Sequence, residues 1–112
     1  MKQGDVVIAS LQQSDGKIKL RPVLVLKSMP QHHDLLVCGI SSQLWNFVEG
    51  FDEKIDDSHP DFTISGLSRS SIVRIGYLAT LDIRDIKGTM GHLSAKTVNL
   101  IISRLVKYLK KR

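Results

Sequence analysis

Apolar residues fall into short runs separated by turn-forming residues, and no run has a helical period until the last twenty positions. The first run is Val6-Val7-Ile8-Ala9. The second is Arg21-Pro22-Val23-Leu24-Val25-Leu26, in which one arginine leads β-favouring residues into what reads as a buried strand. Pro22 has no N–H for a ladder, which places it at a strand's first residues or on an edge. Arg21 therefore sits at the mouth of the sheet, where a rigid strand meets a loop. Taken by itself it reads as a charged strand end. Residues 35–40 form a third strand that runs directly into Ser41-Ser42-Gln43. Residues 71–75 form another, with Ile72 and Arg74 on one face and Val73 and Ile75 on the other. After Gly76, residues 77–81 either extend this strand past a bulge or begin a new one.

The intervening segments carry turn chemistry. Ser14-Asp15-Gly16-Lys17 is a turn signal, so residues 11–19 form a loop or hairpin. Residues 44–48 read either as a short helix or as an extended connection, with Trp45 placed in the core. Residues 51–55 suggest a half-buried strand with Phe51, Glu53 and Ile55 on one side. Residues 56–62 read as a loop, 66–70 as a bend, and 82–91 as a connection broken by Gly88 and Gly91. The last stretch is a helix. Ser94 is its N-cap, Leu93 and Val98 form a hydrophobic staple, and Val98, Ile101, Ile102, Leu105 and Leu109 share one face. Lys107, Lys110, Lys111 and Arg112 complement the dipole at its end. Short strands at regular spacing predict one mainly β domain over residues 1–112, a barrel or sandwich with a C-terminal helix.

Composition narrows the chemistry. Sixteen basic residues against eleven acidic ones give a net charge of +5. Residues 49–61 hold six of the acids and a single lysine, leaving a strongly basic body that favours anionic partners such as nucleic acid. One cysteine, Cys38, excludes an internal disulfide, and its apolar surroundings make it a buried, inert thiol. The chain shows no N-terminal apolar signal and no membrane-spanning run, so a cytoplasmic protein without membrane contact is expected. His32, His33, His59 and His92 have no metal-ligand spacing, and the acidic stretch lacks a calcium-loop pattern. Asp56, Asp57 and Asp61 read as a solvated acidic loop in preference to a two-metal site. No metal and no cofactor are expected. What remains is arginines and hydroxyls at strand ends. Fixed guanidinium groups and hydroxyl donors stabilise charge gathering on a phosphodiester, and RNA supplies its own nucleophile in the 2′-hydroxyl.

These pieces, in their order, resemble the MazF/PemK (Kid) toxins of type II toxin–antitoxin systems. The resemblance rests on Gly4-Asp5-Val6-Val7, Arg21-Pro22-Val23-Leu24-Val25, Val37-Cys38-Gly39-Ile40-Ser41-Ser42-Gln43, Gly66-Leu67, Ser71-Ile72-Val73-Arg74-Ile75, Thr80-Leu81-Asp82 and the Leu93-Ser94 helix start. It implies an SH3-like β-barrel with a C-terminal helix, acting as a homodimer that cleaves single-stranded RNA without a metal and is blocked by a cognate antitoxin. It assigns catalysis to Arg21, Ser41 and Arg74, and RNA binding to Ser42, Gln43, Lys17 and Lys19. Trp45 has base stacking as its competing role. Many members carry an acidic residue followed by Gln, and then an Arg, where this chain has Gly76, Tyr77 and Ala79. Losing the carboxylate removes a general base or arginine-orienting group. The chain is then a divergent nuclease, one using a histidine such as His32 or His33, or a non-catalytic module binding antitoxin or RNA. A CcdB-like gyrase poison of the same fold is the remaining alternative.

Overall fold

The computed structural model describes every residue of the chain except His32. Strands β1 (Asp5–Gln12), β2 (Ile18–Ser28), β3 (Leu35–Ser41), β4 (Glu53–Ile55), β5 (Ser71–Leu81) and β6 (Ile86–His92) form one antiparallel sheet in the order β4-β5-β3-β2-β1-β6. The sheet curls into a half-barrel, and helix α2 (Ala95–Lys110) packs on it. Alternation along the strands supplies two apolar layers. Leu24, Leu26, Cys38, Val73 and Ile75 face α2 and pack with Val98 and Ile101. Val7, Ala9, Val23, Val25 and Val37 pack together in a second cluster. The expected mainly β fold with a terminal helix is the fold observed.

The β1–β2 loop is tighter than its polarity suggests. Gly16 adopts φ +84°, and the Asp15 side chain accepts the Lys17 N–H at 2.9 Å, so the strands reach Gln12 and Ile18. Residues 82–91 are not a plain connection: a short 3₁₀ turn at Ile83–Asp85 leads into β6, which pairs with β1 across two register shifts. The glycines that looked like breakers lie inside that strand. Gly91 marks a close approach, since a Cβ there would sit 2.2 Å from the Ile64 carbonyl oxygen. Ile64 belongs to α1 (Phe62–Ser65), a single turn ending on Gly66 at φ +75°. A Cβ on Gly66 would sit 2.1 Å from the Met90 carbonyl oxygen. These two glycines let α1 press on the β6 backbone, which closes the gap between the β4 and β6 edges.

The acidic stretch is a solvated loop only in part: Asp57 is exposed and Asp56 half-buried, as expected, but Asp61 is not. Asp52 and Asp61 are buried, at 5% and 4% exposure. Asp52 accepts the N–H of Val48 at 3.0 Å and of Ile75 at 3.2 Å. Asp61 accepts the Ser94 N–H at 3.0 Å and its hydroxyl at 2.9 Å, holding the N-cap of α2 from outside the helix. Ser94 in turn accepts the Thr97 N–H, the expected cap, and Leu93 and Val98 lie in the same core layer. Arg104 of α2 donates to the Phe51 and Asp52 carbonyls and to Glu53 Oε1, while Glu53 Oε2 meets His59 Nε2 at 2.9 Å. His59 Nδ1 accepts the Asp61 N–H, so its ring proton is placed on Nε2, facing Glu53. Of the expected helix face, Leu109 is exposed, at the rim of an open apolar groove that it shares with Leu26 and Leu36 of the sheet.

Both structural glycine and buried carboxylate are testable in urea and pH titrations. Gly66→Ala should cost ~3 kcal/mol or more, because left-handed backbone and the Met90 carbonyl both oppose the new methyl. Gly16→Ala, left-handed but facing open space, should cost only ~1 kcal/mol; equal losses would remove the case for the α1–β6 seam. Burial pushes the Asp61 carboxyl up, but hydrogen bonds from Thr97 and Ser94 and the neighbouring His59 outweigh it and leave it below its ordinary value. A carboxyl lowered by folding stabilises the native state above the unfolded value of about 3.9, and that contribution fades as pH falls through the folded value. Asp61→Asn should therefore lower Tm at neutral pH and flatten its decline below about pH 4, whereas parallel profiles would contradict this role.

Candidate functional site

The site grows from a mismatch in strand length. β2 is eleven residues long and β3 seven. Their pairing begins at Val23↔Gly39, so residues 18–22 of β2 are held by β1 alone, with Pro22 opposite Ile8 and Arg21 opposite Ala9. Pro22 is thus tolerated inside a central strand: its pairing with β3 has already stopped at Val23↔Gly39, although β3 itself continues to Ser41 against β5. The overhang, the end of β3 and the start of β5 enclose an open cleft of about 540 Å³.

Arg21, Ser41, Ser42, Gln43 and Arg74 all line this cleft. Lys17 and Lys19 do not; they lie on the exposed β1–β2 hairpin, with Lys19 two residues farther along the strand than Arg21. Ser41 Oγ accepts the Gln43 N–H at 3.1 Å, which fixes the oxygen and leaves the hydroxyl proton free to donate. Gln13, Ser68, Arg69, Ser71 and Tyr77 also line it, and the sequence did not single them out for the site. Arg69 had one legible signal: like Arg21, it stands just ahead of an apolar strand. For Tyr77 the sequence offered a bulge after Gly76 and a departure from the family pattern, but not the direction in which the ring would point. Gly39 pairs with Arg74 but Cys38 pairs with Leu78, so Ile75, Gly76 and Tyr77 have no partner in β3. The bulge carries the Tyr77 ring over Gly39, where a Cβ would lie 2.6 Å from Tyr77 Cδ2. The Arg74 guanidinium carbon lies 5.5 Å from the same ring's centroid.

Three guanidinium groups, from Arg21, Arg69 and Arg74, share the cleft, and no carboxylate or histidine lines it among the described residues. Such a site draws anions and can clamp a phosphate with planar, always-charged donors. His33 is exposed and precedes the opposite end of β3 from Ser41, so it does not stand in for a missing base; His32 lies outside the described residues. His59 is committed to Glu53 and Asp61. Cys38 is fully buried, and burial, then the Asp52 charge, push its thiol up to about 12, which leaves it inert as expected. Trp45 is not a core residue. It sits on a 3₁₀ turn, Leu44–Asn46, just beyond Gln43, and is 80% exposed. No helix among the described residues is long and apolar enough to cross a membrane.

The family model described as PemK-like, MazF-like toxin of type II toxin–antitoxin system matches residues 2–109. Among solved structures, the chain is similar to the Mycobacterium tuberculosis toxin MazF-mt6, at 21% identity and a TM-score of 0.69, over 96% of this chain and 98% of that one. It is also similar to an endoribonuclease in complex with its cognate antitoxin from a mycobacterial species, at 15% identity and a TM-score of 0.70, over 100% and 97%. A MazE–MazF structure from Deinococcus radiodurans aligns at 15% identity and a TM-score of 0.69, again over 100% and 97%. At these identities the structures speak for the fold. No curated protein matches the sequence.

Proposed function

The chain belongs to the PemK-like, MazF-like toxin family of type II toxin–antitoxin systems, and from that membership we propose that it is an endoribonuclease cleaving single-stranded RNA in the cytoplasm. The observation that carries this reading is the convergence of Arg21, Ser41, Arg69 and Arg74 on one cleft free of carboxylates. A phosphodiester seated there has its nonbridging oxygens clamped by guanidinium groups and by the Ser41 hydroxyl. The RNA 2′-oxygen attacks phosphorus, the bond to the 5′-oxygen breaks, and the products are a 2′,3′-cyclic phosphate and a 5′-hydroxyl. The 2′-hydroxyl loses a proton and the 5′-oxygen gains one, so the step is balanced without a cofactor. The donors in the cleft are suited to holding anions, not a cation, which fits metal-independent chemistry. Ser42, Gln43 and, at the rim, Lys17 and Lys19 follow the strand's backbone. The protein acts as a homodimer; Ile18 and Leu20 on the overhang are apolar and exposed, as a surface meeting another chain would be. A cognate antitoxin silences it, as the MazE–MazF arrangement of its structural neighbour suggests.

A second reading has its own support: among the described residues, no carboxylate or histidine lines the cleft to take the 2′-hydroxyl proton. On that reading the protein binds RNA or antitoxin without cutting. Incubation of a varied single-stranded RNA pool in EDTA separates the two. The nuclease should leave cyclic-phosphate ends, and Arg21→Ala should slow cleavage ~10²–10³-fold, the usual cost of losing one charge-stabilising donor. RNA binding without cleavage would establish the binding module instead. The chain's single tryptophan gives a second measurement. Its fluorescence should be quenched when a short RNA binds, and Trp45→Ala should weaken binding roughly tenfold, the scale of one base–aromatic stack. Undiminished fluorescence in the bound state would take Trp45 off the RNA path.

A further inference from the structure

Arg74 is a half-buried arginine in an anion-binding cleft, yet among the described residues it makes no salt bridge and no side-chain hydrogen bond. A long, flexible side chain in that state spreads over many rotamers, and a charge that is not held in place stabilises a transition state poorly. One contact does restrain it, the face of the Tyr77 ring at 5.5 Å. Several features of the backbone accompany that placement of the ring. Three residues of β5 leave the β3 ladder. Gly76 stands in the bulge. The Ile75 N–H, turned away from β3, is satisfied by the buried Asp52 carboxylate. Gly39, opposite Arg74, has no side chain, and any Cβ there would strike the ring at 2.6 Å.

We propose that Tyr77 is a positioning residue, whose ring, seated on Gly39, holds the Arg74 guanidinium in the cleft by a cation–π contact. The inference rests on the nuclease reading for its kinetic consequence, but not for the contact itself. An aromatic face attracts a guanidinium without neutralising it, which a carboxylate partner would do. Arg74 therefore keeps its full charge for a phosphate while losing its rotational freedom. The hydroxyl of Tyr77 has no part in this, and Phe should serve equally well.

The test uses two readouts on the folded chain. In NMR spectra of the free protein, the Arg74 Hε and Hδ signals should be displaced by the Tyr77 ring current. Tyr77→Phe should keep that displacement and Tyr77→Leu abolish it, with amide spectra elsewhere unchanged. In single-turnover cleavage, Tyr77→Leu should lower kcat roughly tenfold with KM little altered, and Tyr77→Phe should remain near wild type. In an Arg74→Ala background, Tyr77→Leu should have no further effect, since neighbours acting through one contact are not additive. An Arg74 signal unmoved by Tyr77→Leu would overturn the contact. A loss on Tyr77→Phe, or an undiminished Tyr77→Leu effect without Arg74, would give the ring or its hydroxyl a role of its own. If the wild-type protein cuts no RNA, the nuclease reading falls, while the NMR displacement still decides whether the clamp exists.

Discussion

A carboxylate taken out of water must be given donors, and two such groups, Asp52 and Asp61, organise this molecule. Asp61 collects its donors from the first turn of α2, and Asp52 collects one from the middle of β5. Each thereby fixes an element that apolar packing alone leaves free to slide. Between them, Glu53, His59 and Arg104 form a continuous line of charge-assisted hydrogen bonds from the sheet edge to the helix. Packing holds the layers together, and this line sets their register.

The cleft inherits its shape from that register. Because Asp52 takes the Ile75 N–H, the ladder partner that β3 would otherwise supply is not needed, and β5 can bulge. The bulge brings Tyr77 and Arg74 to the same side as Ser41. On the opposite wall, the β2 overhang carries Arg21 on a strand segment that is anchored by β1 and lies beyond its last pair with β3. The result is a set of cationic and hydroxyl groups, with Arg21, Ser41 and Arg74 mounted on strands and Arg69 on the bend before β5, around a site lined by no carboxylate among the described residues.

Local patterns in the sequence are enough for the strands that bury two faces, for α2 with its Ser94 cap, and for the gathering of Arg21, Ser41 and Arg74 near strand ends. They fail where long-range contacts decide. Gly88 and Gly91 look like breakers because nothing local shows that β6 needs room for the α1 backbone. Asp52 and Asp61 look solvated because their donors, Ile75 and Ser94, are 23 and 33 positions away. Trp45 looks like core because tryptophan is usually there, and only the turn at Leu44–Asn46 shows that it is carried outward. The direction of the Tyr77 ring is invisible in the pattern because a bulge changes which residue faces which side.

The cleft's lack of carboxylates has a consequence for the molecule as a whole. Three like charges, two on strands and one on the bend before β5, repel one another whenever the cleft is empty, and water screens that repulsion only in part. An anionic occupant removes it. Folding and occupancy are then thermodynamically linked: the native state gains stability from any polyanion in the cleft, in proportion to how tightly it is held. The empty protein is accordingly the least stable form of this chain.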